Sequence, residues 1–532
     1  MSAALILPIA LRRHAASTPD APAILEPGRT WSFAALDALA DGLAAGLVVA
    51  GIGLGDRVAL LAAPSAIALA LIAATGRVGA CVAPLGTSLT APELAGAGIV
   101  IGPRLVVHDD ERAGVAGALH VPTVRIDALA APAAHPPGGG PALDPDAPAV
   151  AILTSGTTGR PKAALLSHAA MAASAAAWSA ALPKATGWLL CVGLTHVAGL
   201  GVAWRAIGSG VPLVVMPAFD ADAVLDVLRR GPTSHLSLVP TQLARLLEAN
   251  VAAAAGLLPD EPNAAGRDRG RPAQARLRAV LLGGAPIPPD LVIRALAAGW
   301  PVVPTYGLTE AGSGVTALAT AEAGAHPDSA GRPLPGVQVR IADPAADGSG
   351  EIQVRTPTAL SCYLGRPEAT AAAFEADGWL RTGDAGRLDA DGLLQVIDRR
   401  DDLLVSGGEN VFPAEVEAVI AEHPAIAEAG VAGRPDPAWG AVPVASVVLR
   451  PGVPIPTLAE LRAFCLGRLA PYKVPVAFVV VTVLPRTESG KLRRSELRAA
   501  LAAVPPADVA PPTSGTPPAA GTPPTSRVEV ST

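Results

Sequence analysis

Aromatic residues are scarce in this chain: three tyrosines, six phenylalanines and seven tryptophans among 532 residues. Alanine, glycine and proline take their place, a bias that reads as the composition of a source genome and says little about function. Cysteine is scarcer still. Cys81, Cys191, Cys362 and Cys465 are scattered without C-x-x-C spacing, so neither a zinc site nor a disulfide framework is indicated, and a reducing, cytoplasmic setting fits. Excess positive charge is missing too. A net charge of −6 and an isoelectric point near 5.9 argue against a nucleic-acid footprint, which would need a basic face. The apolar N-terminus, Met1 to Leu11, has its arginines after the run and none before it, the reverse of a secretory signal. Val58 to Gly76 is uncharged, but Pro64-Ser65 breaks it, so it reads as a buried strand and a buried helix, with no stable membrane insertion.

The length suggests two or three domains. Over the first 150 residues helix-like runs such as Phe33 to Val49 alternate with strand-like ones, an α/β pattern. The most concentrated chemistry follows: Thr154-Ser155-Gly156-Thr157-Thr158-Gly159-Arg160-Pro161-Lys162, after an apolar run, Ala149 to Leu153, that reads as a buried strand. Glycines let backbone N–H groups converge, hydroxyls add donors, and lysine and arginine add positive charge, so a polyphosphate could be held there. It is not a Walker loop, because Pro161 intervenes before Lys162 and Ala163 follows it. The competing reading is a flexible surface turn.

On these residues the chain resembles the adenylate-forming superfamily, which includes acyl-CoA synthetases, luciferases and the adenylation domains of peptide synthetases. Ala163 is a small departure, since most members carry glycine there. Later motifs follow in the family's order. The strand-like Leu277 to Leu282 runs into Gly283-Gly284-Ala285-Pro286, where a flat ring can lie against backbone, adenine by resemblance. Pro304-Thr305-Tyr306-Gly307-Leu308-Thr309-Glu310 brings an aromatic, a hydroxyl and a carboxylate off one strand end. The resemblance makes these an adenine stack on Tyr306, a phosphate donor at Thr309 and a magnesium ligand at Glu310. Asp384 reads as a turn residue or, in the family, as the acceptor of ribose hydroxyls.

His196 follows an apolar strand. Alone it reads as structural, whereas the matching family histidine lies beside the acyl pocket, which makes it a catalytic and substrate-site candidate. Arg205 stands in a nearly uncharged stretch, Leu189 to Ala218, so it should be buried and needs an anion. Either an internal acid pairs with it or a substrate carboxylate does. This stretch and the later Ser234-His235-Leu-Ser-Leu-Val-Pro240-Thr241-Gln242-Leu look most like the o-succinylbenzoate–CoA ligases of menaquinone biosynthesis, in which a cation at the Arg205 position contacts the dicarboxylate substrate.

Residues 252–275 read as an inserted surface loop with a solvated Arg267-to-Arg271 charge cluster. Arg399 to Asp402 is a charge run ahead of Ser406-Gly407-Gly408-Glu409, and Pro413 can start a helix. By resemblance Arg399 touches ribose, Asp401 is a hinge, Gly407 and Gly408 border the CoA path, and Lys491, after Ser489-Gly490, is the mobile catalytic lysine of adenylation. The resemblance covers residues 12 to 500. It implies an α/β fold with a large N-terminal domain of mixed sheets, helices and a β-rich subdomain (1–400) and a small mobile α+β C-terminal domain (401–503). Residues 504–532, rich in Pro, Ala and Thr, should be disordered.

The implied reaction is AMP-forming ligation of a carboxylic acid to CoA through an acyl-adenylate, with ATP and Mg2+ and with small molecules as partners; self-association is left open. A general aryl- or short/medium-chain fatty acyl-CoA synthetase would keep every ATP motif and differ in the pocket. An enzyme that loads a carrier protein would leave CoA unused, and a non-catalytic scaffold would be expected to have lost Lys491 or Glu310.

Overall fold

Serines open the helices that frame the first half of the chain. Ser32, Ser65 and Ser167 each accept a hydrogen bond from a backbone N–H in the first turn of the helices Phe33–Val49, Ala66–Arg77 and His168–Ala181. Such caps satisfy donors that a helix start leaves unpaired, and the alanines that follow favour continuation. The first two of these helices lie where the sequence predicts them.

The computed structural model describes residues 5–130, 142–155, 161–254, 272–346, 348–398, 404–485, 492 and 494–502. They form two compact units, the larger within 1–87, 96–154 and 162–398, the smaller within 88–95, 155–161 and 399–532. The elements that carry the candidate site are, in chain order, β1 (Pro148–Ser155), β2 (Pro161–Ser167), α1 (His168–Ala181), β3 (Trp188–Leu190), α2 (Val197–Ser209), β4 (His235–Leu238), β5 (Ala279–Leu282), β6 (Val302–Tyr306), β7 (Cys362–Tyr363) and β8 (Leu380–Leu388).

Among the described residues the large unit contains three sheets. A seven-stranded one runs β7, β2, β1, then Cys81–Pro84, Arg57–Leu61, Leu105–His108 and Thr123–Arg125. A nine-stranded one runs Arg332–Pro333, Thr316–Ala317, β6, β5, β4, β3, Leu213–Val215, Pro22–Glu26 and Arg29–Ser32. The third is antiparallel and contains Gln338–Ala342, Gly350–Arg355, β8 and Leu394–Asp398. Within the nine-stranded sheet β3 to β6 are neighbours and parallel. β3, β4 and β5 are buried along their whole length, which is why β3 and β5 read as continuous apolar stretches, while β4 keeps the buried polar residues His235 and Ser237.

The small unit is α+β. Strands Ile426–Asp436 and Gly440–Leu449 pair antiparallel, and Ala477–Val480 adds in parallel. Helix Pro413–Ala421 starts on its proline, and helix Leu458–Leu466 starts on a capping box of Thr457 and Glu460. Helix Pro240–Ala254 runs into the start of the expected 252–275 insertion, whose residues 255–271 lie outside the described residues, as does the 504–532 tail. No helix among the described residues is long and apolar enough to cross a membrane.

Two buried histidines make the large unit sensitive to acid. Burial drives His168 and His235 down from 6.5 to about 4, and for His235 the nearby Arg205 and Arg278 add to the effect. The folded chain therefore binds fewer protons than the unfolded one between those values, so their contribution is full above pH 6.5 and is lost as pH falls toward 4. Thermal melts across that range should show a falling midpoint, and His168→Gln should flatten the slope; an unchanged slope would contradict this origin.

Candidate active site

Because β5 and β6 are adjacent and parallel, the turns that leave them emerge on the same edge of the sheet, the place where open α/β sheets bind ligands. After β5 comes Gly283-Gly284. A Cβ on Gly283 would overlap the Thr305 hydroxyl, which donates to the Leu282 carbonyl at 3.0 Å, and Gly284 has φ +77. Ala285 is half-buried and Pro286 exposed beside them. After β6 comes Gly307, whose lack of a side chain makes room for the Ser313 carbonyl. Ser313 itself has φ 95, a region costly for any residue with a Cβ. Gly314 lies flat against the Trp178 indole of α1, and Ser174 of the same helix donates to the Gly312 carbonyl at 2.7 Å.

That turn holds the polar groups. The Tyr306 hydroxyl donates to Asp384 Oδ2 at 2.7 Å, with both residues buried, so an aromatic face and a carboxylate are held together where β6 meets β8. Thr309 and Glu310 form the short turn after β6, both half-buried. The Glu310 carbonyl accepts from the Leu360 N–H at 2.8 Å and its Oε1 accepts from the Tyr363 hydroxyl at 2.8 Å. Lys162, at the start of β2, places Nζ 5.0 Å from the centre of the Tyr363 ring. No group of three or more His, Cys, Asp or Glu side chains able to hold a metal occurs among the described residues. A lone hard carboxylate suits magnesium, which keeps its waters and takes phosphate oxygens as further ligands, and does not suit a zinc cage.

His196 precedes α2, where its carbonyl accepts from the Gly199 and Leu200 N–H groups. Arg205 lies further along α2, 2% exposed. Side chains on a helix lean toward its N-terminus, and Arg205 does so: its Nη1 lies 3.0 Å from where a Cβ on Gly201 would stand. The guanidinium sits between two indoles, 4.6 Å from the Trp188 ring centre and 5.6 Å from that of Trp178. Among the described residues its Nε and Nη1 have no hydrogen-bond partner, nor has Trp178 Nε1. No carboxylate among the described residues pairs with it, and burial brings the group down to about 9, still charged at neutral pH.

Thr154 is half-buried at the end of β1. Nothing is described of the Ser155 side chain, and Gly156, Thr157, Thr158, Gly159, Arg399, Asp401 and Lys491 lie outside the described residues. In the small unit Gly407 (φ +61) packs under Trp439, donating its N–H to the Trp439 carbonyl at 2.8 Å, and Gly408 has φ +91. Sequence reasoning missed Tyr363, Trp178 and Trp188. The scarcity of aromatics was the available signal, since two of only three tyrosines stand in this site. Gly307→Ala should displace the Ser313 backbone and abolish ATP-dependent pyrophosphate release, whereas Ser313→Gly should relieve its backbone and raise the melting temperature, by about 1 kcal/mol of stability. Activity assays and melts of the two variants check this pair.

With the geometry in place, comparison with known proteins is informative. Residues 11–364 match the family of AMP-binding enzymes, and residues 415–491 match the AMP-binding enzyme C-terminal domain. A 2-succinylbenzoate–CoA ligase of Geobacillus kaustophilus is 38% identical over 499 residues, 92% of this chain and 97% of that protein. A feruloyl-CoA synthase of an Amycolatopsis species is 35% identical over 506 residues, 91% of this chain and 97% of that one. A double mutant of the o-succinylbenzoate CoA synthetase of Bacillus subtilis, solved with its product analogue, superposes with a TM-score of 0.83 at 33% identity, covering 92% of this chain and 98% of that one. The same B. subtilis enzyme in complex with ATP and magnesium superposes with a TM-score of 0.66 at 33% identity, covering 92% and 98%. Relatives of this identity along almost their whole length, together with the two matched domains, show that the chain belongs to the AMP-binding, adenylate-forming enzyme family.

Proposed function

We propose that this chain is an ATP-dependent o-succinylbenzoate–CoA ligase. The observation that carries the substrate assignment is Arg205: a buried cation beside two indole faces, with two nitrogens unpartnered and no paired acid among the described residues. A desolvated charge left unpaired is costly, and a carboxylate brought by the substrate would relieve that cost. The Arg205 guanidinium reaches back to the level of Gly201, five residues from His196, or about 7.5 Å of helix rise. That span suits an acid with one carboxylate to activate and a second to anchor.

In the reaction the substrate carboxylate attacks the α-phosphorus of ATP, forming an acyl-adenylate and expelling pyrophosphate, and the CoA thiol then displaces AMP. Thr154, Ser155, Gly156, Thr157, Thr158, Gly159 and Lys162 hold the phosphates, Thr309 adds a donor, and the Gly283–Pro286 turn and Tyr306 with Gly307 receive adenine. Asp384 and Arg399 take the ribose, and His196 borders the acyl group. Glu310 would hold magnesium, whose charge offsets that of the phosphates. Lys491 stabilises the charge that builds up between carboxylate and α-phosphate during adenylation, a task for a cation placed there for that step. The 401–503 domain turns about Asp401 between the two half-reactions, withdrawing Lys491 and bringing Gly407 and Gly408 to the thiol's path. The four free cysteines accord with a reducing cytoplasm.

A second reading, an aryl-CoA synthetase, has one observation in its favour, the 35% identity to feruloyl-CoA synthase. Pyrophosphate release measured with a panel of acids, with and without CoA, separates the two: o-succinylbenzoate should lead and be completed by CoA, and a lead by an aromatic monoacid would overturn the assignment. Arg205→Ala should raise KM for o-succinylbenzoate by roughly 10- to 100-fold, the value of a charged hydrogen-bonded contact, while sparing aromatic monoacids. Lys491→Ala should cut adenylation by about 100- to 1000-fold and spare thioester formation from supplied acyl-adenylate; equal loss of both half-reactions would contradict domain alternation.

A further inference from the structure

Tyr363 touches two groups of the phosphate end of the site. It is the second residue of β7, which pairs antiparallel with β2 in a register that sets Tyr363 opposite Ala164. Lys162 is the diagonal neighbour on β2, a separation that long and aromatic side chains can bridge. The ring face accordingly lies 5.0 Å from Lys162 Nζ, within the range of a cation–π contact. The hydroxyl, at the far end of the same ring, donates to Glu310 Oε1 at 2.8 Å. The strand's approach is itself fixed. Leu360 N–H bonds the Glu310 carbonyl at 2.8 Å, Thr358 Oγ1 donates to the Ala311 carbonyl at 2.6 Å, and the Tyr363 N–H donates to Thr370 Oγ1 at 2.9 Å. One rigid side chain thus spans an acid in the turn after β6 and a base on β2.

We propose that Tyr363 is a positioning residue that sets the Glu310 carboxylate and the Lys162 ammonium at a fixed spacing for a magnesium-bound polyphosphate. The inference rests on the roles given above to Glu310 and Lys162. By donating to one carboxylate oxygen, the tyrosine restrains rotation of the Glu310 side chain and would leave the other oxygen to ligate the metal, as outer partners of metal ligands do. By facing the lysine with its ring, it holds the ammonium without neutralising it, which an acid in the same place would do.

Tyr363→Phe keeps the ring and removes the hydroxyl. The Mg2+ concentration for half-maximal adenylation should rise about 10-fold, the worth of a hydrogen bond to a charged group, with KM for the acid unchanged. Tyr363→Leu also removes the ring, and should weaken pyrophosphate inhibition by a further 2- to 5-fold. Titration calorimetry gives a readout apart from turnover: the gain in ATP affinity on adding Mg2+ should shrink in Tyr363→Phe. A structural role alone would instead lower both half-reactions and the melting temperature together, and would overturn the proposal. Glu310→Gln separates the two layers of the argument. If it leaves the Mg2+ dependence of ATP binding untouched, the metal role of Glu310 fails and the inference with it. If Glu310→Gln abolishes that dependence while Tyr363→Phe behaves as wild type, the positioning role alone fails.

Discussion

The turn from Tyr306 to Val315 can close only because side chains are absent from it. Gly307 takes the Ser313 carbonyl against its Cα, Gly312 turns with φ +65, and Gly314 lets an indole lie on the backbone. With the turn closed, its carbonyls become attachment points: Ser174 of α1 reaches Gly312, Thr358 reaches Ala311, and Leu360 reaches Glu310. Helix α1, the nine-stranded sheet and the strand that carries Tyr363 are all docked on it. The left-handed Ser313 is the strained member, and strain of that kind persists only where surrounding contacts over-determine the backbone.

This arrangement accounts for how a chain poor in aromatics and charges makes a polar site. Several of its polar side chains have their positions set by neighbours of different elements. Tyr306 and Asp384 fix each other across two sheets, and Tyr363 spans Glu310 and Lys162. Among the described residues Arg205 is held by ring faces instead of by an acid. In a medium of low dielectric such pairings are strong, and an unpartnered cation is an invitation to an anion.

Much of the polar site was legible in the residues because nucleotide chemistry uses local motifs. Gly283-Gly284 and Tyr306 to Glu310 each leave one strand, so their members are adjacent in sequence and in space. Arg205 was conspicuous for the opposite reason, a lone charge in a run that had to be buried. Its setting was not legible. Trp178, Trp188 and His235 come from three other elements, and only the parallel register of β3 and β4 pairs Trp188 with His235.

The sequence by itself determined the family, the order of the motifs, the α/β alternation and the presence of an unusual buried arginine, since each of these depends on residue type and near spacing. Tertiary structure alone decided that no acid among the described residues meets Arg205, that Tyr306 bonds Asp384, and that Tyr363 links Glu310 to Lys162. Those facts depend on strand pairing between segments distant in the chain. A single residue's slip in such pairing would turn each side chain to the opposite face, so no local pattern can encode them.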